Sequence, residues 1–219
     1  MLETPLRKAV LTILLVVALT GLVTACGGDS TNSSLTSGDI KLHDQSWYCG
    51  GPVDVDRLEV TIRNAVIDAV ELGRGCTGRI GELDVVQYQK DGVKVTGGAY
   101  DLVVEKGTIE CMGQKADGHQ DGVQAMGGTR ITFKDLRVDC PTRSSGFFVR
   151  TGGMAGEVPT DIVCEGCWIL GGGYSVRINE SVRSGVRDST ICAGEFGGVK
   201  ILEGAVDPVD SGNSVVSCS

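Results

Sequence analysis

The chain has 219 residues, with 33 glycines, 5 prolines, 5% aromatic residues and a formal charge of −8 at pH 7. Such acidity excludes nucleic acid as a general partner, and it repels acidic glycans unless basic groups gather on one face. Nine cysteines point to an oxidising compartment.

Residues 1–25 read as a secretory signal, with Arg7 and Lys8 ahead of an apolar run from Ala9 to Val23. That run is short for a membrane span of ~20 residues. It closes in LVTAC, which resembles a bacterial lipobox, so Cys26 is expected to be diacylated as the mature N-terminus. GGDSTNSSLTSGD cannot bury enough surface to order itself, and residues 26–39 are read as a flexible tether. Residues 40–219 then form one folded domain, held at the outer face of the cell membrane through the lipid only. Loss of residues 1–25 removes Glu3, Arg7 and Lys8 and leaves a charge of −9. Eight cysteines remain for disulfides, with 105 conceivable pairings.

A helix over Val55 to Leu72 is conceivable, but Val55, Val60, Thr61, Ile62, Val66 and Ile67 make the stretch β-branched and favour strand. Five later segments superimpose: DGVKV from 91, DGVQA from 121, SGFFV from 145, YSVRI from 174 and GGVKI from 197. In each, an apolar-x-apolar triplet follows a small or loop-forming residue. Alternation turns the apolar pair to one face and the middle residue to the other. A second set interleaves: LVVEKGTIEC from 102, ITFKDLRVDC from 131, IVCEGCWILG from 162 and SGVRDSTICA from 184. Its columns run Val104, Phe133, Cys164, Val186 and Ile109, Val138, Ile169, Ile191, with VTIRNAVIDA (60–69) read as an earlier copy.

Two registers, each recurring every 22 to 31 residues, predict an all-β fold: a single-stranded right-handed parallel β-helix, a solenoid of about six coils. A sandwich would need short antiparallel hairpins, and leucine-rich repeats need a leucine frame that is absent. Cys111 and Cys140 each follow one column by two residues, so they are expected to bridge neighbouring coils. Cys49–Cys76, Cys164–Cys167 and Cys192–Cys218 follow by proximity in sequence. CEGC (164–167) has zinc-like spacing, but no second Cys/His pair matches it.

The outward positions of the five triplets are Lys94, Gln124, Phe148, Arg177 and Lys200, with Arg150 and Tyr174 close by. Asp91 and Asp121 head consecutive repeats, and DGHQDGVQAMGG (117–128) sets His119 between Asp117 and Asp121. An Asp-Gly pair is also an ordinary turn, so the two aspartates can equally be corners in register. Read as a site, Asp91 and Asp121 suit a hard cation such as calcium, although no cofactor is required. His119 titrates near neutrality and suits acid–base work. His119 and Asp121 are expected to be exposed and to tolerate alanine with little change in stability.

The repeats resemble the right-handed parallel β-helix superfamily of pectate lyases and related polysaccharide lyases and epimerases. GCTGRIGELDVVQYQKDGVKVTGGAYDLVVEKGTIEC, HQDGVQAMGGTRITFKDLRVDCP and TDIVCEGCWILGGG are similar to secreted actinobacterial members of undefined activity, over roughly residues 47 to 218. The resemblance implies a polysaccharide partner. In uronate lyases of this kind, carboxylates hold calcium against the sugar acid group and an arginine or lysine abstracts the C5 proton. Carried onto this chain, His119, Asp121, Lys94, Arg150 and Arg177 are candidate catalytic residues. Gln124, Phe148, Tyr174 and Lys200 are candidate substrate contacts. Two functions follow: a surface-anchored lyase- or epimerase-like enzyme, or a non-catalytic glycan-binding or structural envelope lipoprotein. Either is expected to be monomeric.

Overall fold

The computed structural model describes residues 38–113, 120–141, 144–152 and 156–218. Cys26 and His119 lie outside them. The described residues form twenty strands and no helix. The strands divide between two sheets rather than one, and neighbours within each sheet run parallel.

The thirteen-stranded sheet begins with β1 (Asp39–His43), β3 (Pro52–Ile62) and β5 (Thr77–Gln87). Beyond β5 it splits into two rows. One contains β7 (Tyr100–Val104), β10 (Thr129–Lys134), β13 (Thr160–Glu165), β16 (Gly185–Arg187) and β19 (Val209–Ser211). The other contains β8 (Gly107–Cys111), β11 (Leu136–Cys140), β14 (Trp168–Gly171), β17 (Thr190–Cys192) and β20 (Ser214–Val216). The eleven-residue β5 pairs with both, its first half with β7 and its second with β8. The seven-stranded sheet holds β2 (Trp47–Cys49), β4 (Val70–Leu72), β6 (Val93–Val95), β9 (Val123–Ala125), β12 (Phe147–Val149), β15 (Tyr174–Ile178) and β18 (Gly197–Ile201).

The sequence columns are the structural ones. Val104, Phe133, Cys164 and Val186 are successive partners, as are Ile109, Val138, Ile169 and Ile191, and all are buried. Phe133 and Phe147 meet edge to face across the core, ring centroids 6.2 Å apart. The stretch 55–72 is strand and loop, as its β-branched content favours.

The second register holds two strands per repeat, because the chain bends between β7 and β8 and at each equivalent point afterwards. One alignment needs correction. The earlier copy is Val53–Ile62 rather than 60–69, since Val53 aligns through Gly78 with Leu102, and Ile62 through Gln87 with Cys111. The shift is seven residues, an odd number, and it is possible because Asp56 and Arg57 both face outward and break the alternation inside β3.

One corner is built from charged residues in the left-handed region. Asp101, Arg130, Asp161, Arg183 and Asp207 recur there with φ between 45° and 56°. Arg130 makes two hydrogen bonds to Asp101, and Arg183 two to Asp161. Four disulfides join Cys49–Cys76, Cys111–Cys140, Cys164–Cys167 and Cys192–Cys218. Three of them link neighbouring repeats. The CEGC cysteines therefore pair with each other, and a zinc site there is excluded.

Candidate functional site

The outward column of the seven-stranded sheet reads Tyr48, Glu71, Lys94, Gln124, Phe148, Arg177, Lys200, one residue per strand. Strand spacing of about 4.8 Å brings these side chains into a ladder. Lys94, Gln124, Phe148, Arg177 and Lys200 thus stand in the order read from the sequence, and Tyr48 and Glu71 extend them.

Phe148 sits at the centre, 5% exposed, because two guanidinium groups cover it. The Arg177 Cζ lies 4.8 Å and the Arg150 Cζ 5.7 Å from its ring centroid, a cation–π arrangement. Lys200 Nζ stands 5.7 Å from the Tyr174 ring, which itself contacts Phe196 at 5.8 Å. Among the described residues, Arg150, Arg177 and Lys200 form no ion pair, and Arg177 Nε is buried with no hydrogen-bond partner. The thirteen-stranded sheet and its corners differ. There Arg57, Arg79, Arg130, Arg137, Arg183 and Arg187 each lie within 4 Å of a carboxylate. Among the described residues, Arg150, Arg177 and Lys200 thus stand together on one face without an ion pair, whereas the arginines of the other sheet are paired.

A depression of about 220 Å³ opens between these groups, lined by Lys90, Lys94, Arg150 and Arg177 against Asp68 and Asp91, with Gln124 and Phe148. A second, of about 170 Å³, shares Phe148 and Arg177 and continues to Ser144, Ser145, Tyr174 and Phe196, above Asp121.

The aspartates are corner residues first. Each accepts the backbone N–H of its counterpart in the next repeat: Asp68 Oδ1 from Asp91 at 3.2 Å, Asp91 Oδ1 from Asp121 at 2.9 Å, and Asp121 Oδ1 from Ser145 at 2.8 Å. Asp121 Oδ2 also accepts from the Gln124 amide at 3.0 Å, and Asp68 Oδ2 from Lys94 Nζ at 3.0 Å. Asp121 is 1% exposed, which corrects the expectation of an exposed side chain: its carboxylate turns along the ladder towards the next amide.

Burial, then the charge of Asp121, pushes the Asp91 carboxyl up to about 7, against the pull of the Asp121 N–H. Burial draws the Lys94 ammonium down, but the Asp68 hydrogen bond and charge outweigh it and hold Lys94 above the ordinary lysine value. Calcium asks for six to eight oxygen ligands. Asp121 has both oxygens engaged, and no group of three or more His, Cys, Asp or Glu side chains suited to a metal comes together among the described residues. The described donors alone fall short of a calcium shell.

Asp68, Lys90, Ser144 and Phe196 escape the sequence motifs. Asp68 heads DAVEL, a repeat start in which Ala69 replaces the glycine that marks DGVKV and DGVQA. Ser144 and Phe196 lie in loops, where no period applies. Trp168, on the other sheet, is half-buried under Arg137, whose Cζ is 3.7 Å from its ring centroid. No known protein family, curated protein or solved structure matches the chain.

Proposed function

We propose that this protein acts on an acidic polysaccharide, which lies across the outward face of the seven-stranded sheet. One observation carries the reading. Arg150, Arg177 and Lys200 have no carboxylate partner among the described residues, and they surround Phe148 and Tyr174 on one face of an otherwise acidic chain. Unpaired guanidinium groups with a planar fork suit a sugar carboxylate or sulfate.

The same face supports lyase- or epimerase-like chemistry. Removing the proton beside a sugar carboxylate requires that carboxylate to be neutralised, which Arg150 and Arg177 supply. Asp91, near half ionisation at neutral pH, is the group suited to take the proton, whereas Lys94 is held charged by Asp68. His119 is retained as a candidate acid. The non-catalytic reading also has an observation in its favour: the Asp91 and Asp121 carboxylates already serve the corner amides.

We further read the three strand rows as the faces of a right-handed, pectate lyase-like β-helix, which the all-parallel pairing and the constant order of rows support. Residues 1–25 and Cys26 are proposed to anchor it outside the cell, a placement with which the disulfides are compatible.

The test is a panel of acidic and neutral glycans, scored for affinity and for unsaturated-product absorbance, with and without calcium. Acidic members should bind, and Arg177→Ala should weaken them at least tenfold with little change in Tm. Product absorbance independent of calcium selects the enzyme, and binding without product selects the binder. Failure of every acidic glycan to bind overturns both.

A further inference from the structure

We propose that the edge formed by β18, β19 and β20 docks an extended segment of a second protein, laid parallel to β19 with an arginine opposite Asp207. The corner ladder shows what is missing there. Asp101, Arg130, Asp161, Arg183 and Asp207 hold one position in successive repeats. Each arginine reaches back to the aspartate of the repeat before it. Arg130 Nη2 donates to Asp101 at 2.8 Å, and Arg183 donates to Asp161 through Nε at 2.7 Å and Nη2 at 2.8 Å. Asp207 is left exposed, with no ion pair among the described residues. The rung that would follow it in this alternation is an arginine.

The apolar columns stop in the open at the same edge. Ile201 continues the Ile178 column, Val206 the Val182 column and Val215 the Ile191 column, yet they are 40%, 52% and 57% exposed. Strands β18, β19 and β20 are each last in their rows, so one side of each backbone has no strand partner among the described residues. Such an edge takes an added strand through main-chain hydrogen bonds, and side chains set which strand it takes. Pro208 lacks the N–H that its counterpart Ile162 donates forward to Ser184. Backbone pairing is therefore incomplete at that point, and the charge of Asp207 weighs more.

Two nearer occupants do not fit. Residues 26–37 hold no arginine or lysine. A second copy stacked head to tail would bring Pro52 to the Asp207 rung, with Asp54 and Asp56 on either side of the Asp210 rung. Two copies meeting edge to edge would set Glu203, Asp207 and Asp210 against themselves, and like charges so opposed repel.

The probe is a fluorescein-labelled peptide of residues 182–191, VRSGVRDSTI, the segment that already pairs with this edge from its inner side. The full chain should bind it, and Asp207→Arg should weaken binding at least tenfold with Tm unchanged. A peptide carrying Arg183→Asp should reverse the order, preferring the Asp207→Arg chain to wild type by at least tenfold. No binding of the first peptide, or affinities that ignore the charge swap, overturn the docking edge. Sedimentation of the full chain adds an independent arm. Self-association that Asp207→Arg abolishes would put a second copy at this edge and overturn the arginine-bearing partner.

Discussion

At the scale of single residues, Asp91 carries the sharpest pH dependence. Its carboxyl titrates near 7 when folded against 3.8 for the ordinary group, so the folded state holds a proton that the unfolded chain has released. Stability on this account is full below about pH 4, where both states hold the proton, falls as pH rises from about 4 to 7, and stays reduced above that, by on the order of 4 kcal/mol. Asp91→Asn keeps an oxygen for the Asp121 N–H and removes the charge. Thermal melts should show wild type losing Tm between about pH 4 and 7 and levelling off above, with Asp91→Asn remaining nearly flat. Asp121→Ala is a different case, because it strands the buried Ser145 N–H and the Gln124 amide. A loss of roughly 1–3 kcal/mol is expected, read by denaturant titration. The alternation in DGVKV and DGVQA made the Lys94–Arg177 ladder legible, because period 2 decides which way a side chain points. It does not decide what the side chain meets. Whether Asp121 faces water or the next repeat's amide depends on a residue 24 positions later.

At the scale of strands and corners, the bend between β7 and β8 rests on Gly107. It holds φ at +149°, and a Cβ there would overlap the Leu83 carbonyl oxygen of β5. Gly107→Ala should therefore destabilise by more than the ~1 kcal/mol typical of a point mutation, seen as a lower urea midpoint with m unchanged. The Asp101–Arg130 and Asp161–Arg183 pairs hold two arginines in a left-handed conformation that costs roughly 1–2 kcal/mol each. Such pairs are exposed and contribute little on their own. Their regular placement identifies the corner rather than stabilising it greatly. The inward columns were legible strand by strand. The bend was not, since β3 and β5 run straight through the point where later repeats turn.

At the scale of the whole molecule, three of the four disulfides tie each partner to a repeat next to its own, so covalent links follow the same nearest-neighbour pattern as the hydrogen bonds. Closing the loop between Cys111 and Cys140 is worth ~3–4 kcal/mol on the chain-entropy account, and the three-residue Cys164–Cys167 link roughly half that. Serine replacement of each pair, followed by calorimetry, should reproduce that order. The Cys111–Cys140 pairing was readable because the repeat places both cysteines in one stacked column, whereas the other three were expected only from proximity in sequence. The charge asymmetry between the two sheets was not, because every outward arginine looks alike until its neighbour across the repeat is known. The eleven-residue strands β3 and β5 form the longest ladder among the described residues, and each later repeat adds only short strands to a template already present. Assembly is therefore expected to nucleate on β3–β5 and to zip outward, one repeat after another. The last rung frays first: Val215 extends the Ile191 column yet is 57% exposed. Cys192–Cys218 pins the end that would otherwise open.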